Sequence, residues 1–120
     1  MADFTETFNR TLLEFIDDLI VTFPELGDFE GFKKMTNACV IIDPQTPYQI
    51  FHKSVTIPYE DYILHKNEFF FLNETYRVRS DPSIVDRLKL VWKTLDAANK
   101  EIIWDYMRVL VALDKKCGGY

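Results

Sequence analysis

DPSIVDRLKLVWKTLDAANKEIIWDYMRVLVAL, residues 81–113, is the stretch that decides the fold. After Pro82 it runs to its end without a glycine or a proline. Asp81 can cap a helix, with Pro82 at the first helical position, where its missing N–H is not needed. Ile84, Val85, Leu88, Val91, Trp92 and Leu95 recur at the spacing of a buried helical face, while Asp86, Lys89 and Lys93 look outward. Asp96-Ala-Ala-Asn99 turns the chain, and Asn99 can cap a second helix. Ile102, Ile103, Tyr106, Val109, Leu110 and Leu113 follow at helical offsets, with Trp104, Met107 and Val111 widening the apolar arc. A helix this apolar sits centrally, with neighbours on two sides. Lys115 and Lys116 complement its dipole. No polar group is placed to serve Trp92 or Trp104, so both are read as packing anchors. The stretch predicts a C-terminal helical hairpin at the core of an all-α bundle.

Toward the N-terminus the pattern stays helical. Asp3 and Glu6 form a capping-box-like pair ahead of Phe4, Phe8, Leu12, Phe15, Leu19 and Phe23, widened by Ile16 and Ile20. Pro24 ends this first helix. A second helix, capped by Asp28, runs over about residues 29–41, with Phe29, Phe32, Met35, Cys39 and Ile42 in period. Its β-branched end, residues 38–42, also fits a short buried strand. After Asp43-Pro44, Thr46 caps a third helix that has Pro47 at its first position and turns Tyr48, Phe51 and Val55 inward. Pro58 stops or kinks it, and a short segment follows to about residue 65. Phe69-Phe70-Phe71-Leu72 has no period: either it plugs the core, or one ring is left for a partner. The expected architecture is five or six helices in one domain spanning residues 1–120.

A chain of 120 residues, 48% apolar and 15% aromatic, can bury roughly 65% of its unfolded surface and fold without staples. The net charge of −5 is uneven. Residues 1–30 hold eight acids against Arg10 alone, whereas the remainder is slightly basic. Nucleic acid demands a basic footprint, so direct nucleic-acid binding is not expected. Two cysteines, Cys39 and Cys117, form no disulfide framework; Cys39 reads as a small core residue and Cys117 as an exposed tail residue. No apolar run is long enough to span a bilayer, and no signal peptide leads the chain. An intracellular setting is the expectation.

Chemistry-bearing patterns are missing. His52 and His65 lie apart with no Cys or Asp at ligand spacing, so no metal is expected. Asp17-Asp18 and Glu60-Asp61 point to different sides of a helix, where general acid–base work needs carboxylates facing across a cleft. The four glycines build no phosphate loop. No catalytic residue and no cofactor are assigned, and the chain reads as non-enzymatic. The candidate protein-interface residues are Glu14, Asp17 and Asp18 on the acidic first helix, the rings Phe69, Phe70 and Phe71, and Arg77 and Arg79. The acidic helix could dock on the basic set of Arg77, Arg79, Arg87, Lys89 and Lys93 of another copy.

The residues from Phe8 to Pro24, FNRTLLEFIDDLIVTFP, resemble the opening of short, largely uncharacterised helical proteins of nucleocytoplasmic large DNA viruses of algae and amoebae. In those proteins a similar helix ends in Phe-Pro and precedes a Phe-x-x-Phe-Lys helix, here Phe29 to Lys33. Glu68-Phe-Phe-Phe-Leu72 is similar to their acidic-aromatic segment, and Ile103-Trp-x-Tyr-x-x-x-Leu110 to their closing helix. The resemblance implies a viral origin and supplies no catalytic residues. It implies a small virion component or assembly factor, bound to other virion proteins or to copies of itself, in the host cytoplasm, viral factory or virion. The alternative is an intracellular regulatory adaptor, linked to transcription, that binds a host or viral protein.

Overall fold

α1 (Thr5–Thr22) follows the sequence pattern closely. It buries Phe8, Leu12, Phe15, Ile16 and Leu19 and leaves Arg10, Glu14 and Asp17 in solvent. Pro24 ends it as expected, holding Phe23 at φ −129°, ψ 72°, outside the helical region. The computed structural model describes residues 4–26, 28–69 and 84–118, and every regular element among them is helical. Asp3, Phe70, Phe71, Leu72, Arg77, Arg79, Asp81 and Pro82 lie outside the described residues.

α2 (Phe29–Ile42) starts on Asp28, which takes a left-handed φ of 49° and accepts the Gly31 amide at 3.2 Å. The helix runs through residues 38–42, so the strand alternative does not hold. Its orientation differs from the sequence expectation. Phe29 and Thr36, seven residues apart, set the buried direction. Met35, Ala38, Ile41 and Ile42 then fall on the opposite arc, because successive helical residues turn by about 100°. Ile41 and Ile42 are 84% and 85% exposed.

α3 (Thr46–Phe51), a π turn (His52–Thr56) and α4 (Ile57–Leu64) form one continuous rod. Thr46 does not cap it: Gln45 holds that position, and Asp43 Oδ1 accepts the Gln45 amide at 3.0 Å. Tyr48, Phe51 and Val55 are buried as predicted. Pro58 neither stops the helix nor ends its packing. A proline cannot donate to the carbonyl four residues back and its ring strikes that group. Here the carbonyl belongs to Ser54, inside the widened turn, where the Ile57 N–H reaches back to His52 instead.

α5 (Ile84–Val91), a 3₁₀ turn (Trp92–Thr94) and α6 (Ala97–Gly118) complete the bundle. Ile84, Val85, Leu88, Val91 and Trp92 are all buried. Asp86, expected to face water, is buried too, because burial on this short helix spreads past one face and leaves Leu90 as its exposed apolar residue. The cap of α6 is Asp96, not Asn99: Asp96 Oδ1 accepts the Asn99 amide at 2.8 Å, which starts the helix three residues earlier. α6 buries Ile103, Trp104, Met107, Leu110, Val111 and Asp114, while Ile102 and Val109 stand about half exposed. The core-facing arc is thus centred on the residues that had only widened the pattern. Cys117 is half-buried against the core, still within the helix.

Within the C-terminal pair, α6 is the hub. It lies most extensively along α1 and also meets α3, the π turn and α4. Trp92 and Trp104 join its N-terminal half to the α5 end, edge to face at 5.2 Å. The Cα radius of gyration, 13.7 Å, is that of a compact chain of this length.

Candidate functional site

The acidic face of α1 is partly tied down inside the molecule. Asp17 pairs with Lys33 of α2 at 2.7 Å. Asp18 Oδ2 accepts the Tyr106 hydroxyl at 2.6 Å, and the Tyr106 ring stacks on Phe15 at 4.8 Å. That hydrogen bond, with burial and the nearby acids, pushes the Tyr106 phenol up to about 12. Of the three predicted acids on this helix, Glu14 alone is left on the surface without such a partner among the described residues. It lines a groove of about 590 Å³ between α1 and the end of α2. Leu13, Val40 and Pro44 contribute apolar walls, and Glu6, Arg10 and Asp17 contribute charge. Asn9 fastens the groove by donating Nδ2 to the Pro44 carbonyl at 2.9 Å.

The outward arc of α2 leaves Met35, Ile41 and Ile42 exposed. A shallower recess lies between α1 and α6, formed by Thr11, Ile102, Asp105, Tyr106 and Val109. Phe69, the described member of the aromatic run, is 58% exposed at the end of a turn whose Asn67 Oδ1 accepts its amide. Phe70, Phe71, Arg77 and Arg79 cannot be placed in this surface, since they lie outside the described residues. The basic set loses Arg87 to the interior of the fold. Its side chain is 11% exposed, donates to the Asp28 carbonyl at 2.9 Å and covers the Phe32 ring at 5.1 Å.

Two polar constellations were not anticipated. Asp114, 0% exposed, projects from α6 toward the π turn. Its Oδ2 accepts from His52 Nδ1 at 2.8 Å and from Thr56 Oγ1 at 2.7 Å, while Oδ1 is buried without a hydrogen-bond partner. Sequence reading separated His52 from every acid, because Asp114 is 62 residues away. One signal was present: Asp114 falls on the arc of Leu110 and Val111, where an acid needs a buried partner. A carboxylate, an imidazole and a hydroxyl suggest nucleophilic chemistry, but the order is wrong. Thr56 gives its proton to Asp114 rather than to the histidine, and it is 2% exposed. The cluster locks the rod onto α6.

In the second constellation, Glu68 accepts from Trp92 Nε1 at 2.8 Å and from Lys100 at 3.0 Å. The indole hydrogen bond and then the lysine hold the Glu68 carboxyl below the usual carboxylate range. Trp92 therefore does have a polar partner, supplied from outside the hairpin, where its sequence context could not show it. His65 behaves as a helix-end residue, its ring hydrogen-bonded through Nδ1 to the Asp61 carbonyl at 2.8 Å. Among the described residues no three His, Cys, Asp or Glu side chains converge as a metal site requires, and no helix is long and apolar enough to cross a membrane. In comparisons with known proteins, no family, curated protein or solved structure matches this chain.

Proposed function

We propose that the protein acts by binding other proteins rather than by catalysis, as a small virion component or assembly factor of a large DNA virus. The observation that carries the binding reading is the apolar arc of α2, with Met35, Ile41 and Ile42 exposed. Isolated exposed apolar residues are ordinary, but several on one helical face mark a contact surface. The two polar constellations both join parts of the fold to one another, which leaves them structural. The viral setting is supported by the Phe-Pro, Phe-x-x-Phe-Lys and Ile-Trp-x-Tyr patterns in their observed order along the chain. Quantitative peptide analysis of purified particles tests it. Presence at structural stoichiometry supports the virion role. Absence from particles, with recovery on a host or viral protein in infected cells, transfers the reading to a regulatory adaptor. Substituting Ile41→Asp and Ile42→Asp should abolish capture of the partner while leaving the helical circular dichroism unchanged; undiminished capture counts against this surface.

A further inference from the structure

The groove between α1 and the end of α2 holds a buried group whose bonding is incomplete. Asn9 is 6% exposed and lines this groove. Its Nδ2 donates to the Pro44 carbonyl, which fixes Oδ1 as the acceptor end of the amide. Oδ1 is buried and accepts no hydrogen bond among the described residues. Buried acceptors are almost always paired, so this one marks a place for a donor. The charge around it is negative on balance. Glu6 and Glu14 line the groove with Arg10, and the charge of Asp17 is already met by Lys33. Val40 lines it from the last turn of α2, which has no basic side chain, so the negative end of that helix dipole stands uncompensated there. An unpaired acceptor, a surplus of carboxylate and a helix C-terminus all call for a cation that carries N–H donors.

We propose that the groove binds an arginine or lysine side chain presented by an extended basic segment of another protein. The ammonium or guanidinium donates to Asn9 Oδ1 and lies between Glu6 and Glu14, while its methylene stem rests on Leu13, Val40 and Pro44. Glu6 and Arg10 are long and exposed, and their rotation opens the way to Oδ1. The lining residues run from Thr5 to Asp17, about 18 Å along α1 at 1.5 Å per residue. That is the span of about five extended residues, which selects a peptide over a free amine. Neither Ile41 nor Ile42 lines the groove, so the segment binds apart from the apolar arc of α2. This names the partner's chemistry for the protein-binding reading and rests on it.

Fluorescence anisotropy of the full chain with labelled peptides tests the assignment. The peptides are heptamers with randomised uncharged flanks and arginine, lysine, citrulline or glutamate at the centre. The arginine and lysine pools are expected to bind. The citrulline pool, which keeps the shape and loses the charge, should bind about tenfold more weakly. Glu14→Lys, at an exposed helical position, should weaken the arginine pool about tenfold with unchanged circular dichroism, and Glu14→Gln about threefold. In heteronuclear NMR the Asn9 side-chain amide resonance should move on binding. Equal binding of the citrulline or glutamate pool overturns the proposal, as does arginine binding that Glu14→Lys leaves unchanged. An Asn9 resonance unmoved by a bound arginine peptide removes Oδ1 from the site and overturns it too. Methylguanidinium binding as tightly as the peptides overturns the peptide occupant. If no pool binds while a protein is still captured through Ile41 and Ile42, the groove assignment fails and the protein-binding reading stands. If the chain binds no protein at either surface, both fail.

Discussion

Asp114 shows what one side chain can demand of a fold. A carboxylate with no exposure must be paired, and His52 and Thr56 converge on the same oxygen to do it. Removing one partner leaves a buried charge uncompensated, so His52→Ala should cost about 3 kcal/mol in denaturant unfolding. Thr56→Val should cost about 1–2 kcal/mol. Asp114→Asn, which removes the charge and keeps the shape, should fall below the His52→Ala loss. Tyr106 offers a second measurement at this scale. Its phenol titrates at about 12 in the fold against an ordinary 10.0. The neutral form is favoured on folding, so its contribution is complete below pH 10 and disappears as pH rises toward 12. Tyr106→Phe should abolish that alkaline loss, and ultraviolet titration should show one tyrosine ionising later than in the unfolded chain. Neither residue announced its role in the sequence, because each depends on a partner brought close only by the fold: Asp114 on residues 58 and 62 positions away, Tyr106 on one 88 away.

Helices are what this sequence declares most openly. The Phe-Pro stop of α1 and the Asp28 start of α2 are local signals, and each acts where it stands; Pro47 also opens α3, at its second position rather than its first. Which way a helix faces is not local. The apolar residues of α2 support two arcs, and contact with α1 and α3 selects the one holding Phe29 and Thr36. Likewise α6 turns Trp104 and Met107 inward and leaves Ile102 and Val109 to water. The start of α2 can be tested directly. A Cβ at Gly31 would meet the Asp28 carboxylate at 2.5 Å and push the cap away. Gly31→Ala should therefore forfeit the roughly 1 kcal/mol that alanine normally gains over glycine inside a helix. Asp28→Ala loses the cap and strains a left-handed backbone, for about 1–2 kcal/mol in thermal or chemical unfolding. Asp28→Asn should be nearly neutral, since asparagine both caps and tolerates that conformation.

At the scale of the molecule, the all-α bundle and its central C-terminal pair were legible, whereas the interacting surface was only half so. Sequence pointed to the acidic face of α1; the fold pairs Asp17 with Lys33 and Asp18 with Tyr106 at that surface and adds the apolar face of α2, whose Met35 and Ile42 amphipathic periodicity had assigned to the core. Acid should loosen the connection between Glu68 and the α5–α6 turn. The Glu68 carboxyl sits below its ordinary 4.5, so its stabilisation is present above that value and is lost as pH falls through the depressed folded value. Glu68→Gln should flatten the dependence in an acid titration followed by circular dichroism. The same contact makes the molecule its own optical reporter. Its two tryptophans, Trp92 and Trp104, are both buried and lie ring against ring, so their emission is short in wavelength and shared between them. A carboxylate held against one indole N–H perturbs that emission according to its charge. Protonation of Glu68 thus becomes visible as a change in fluorescence ahead of the red shift that marks unfolding, and one cuvette separates the loss of a single contact from the loss of the whole fold.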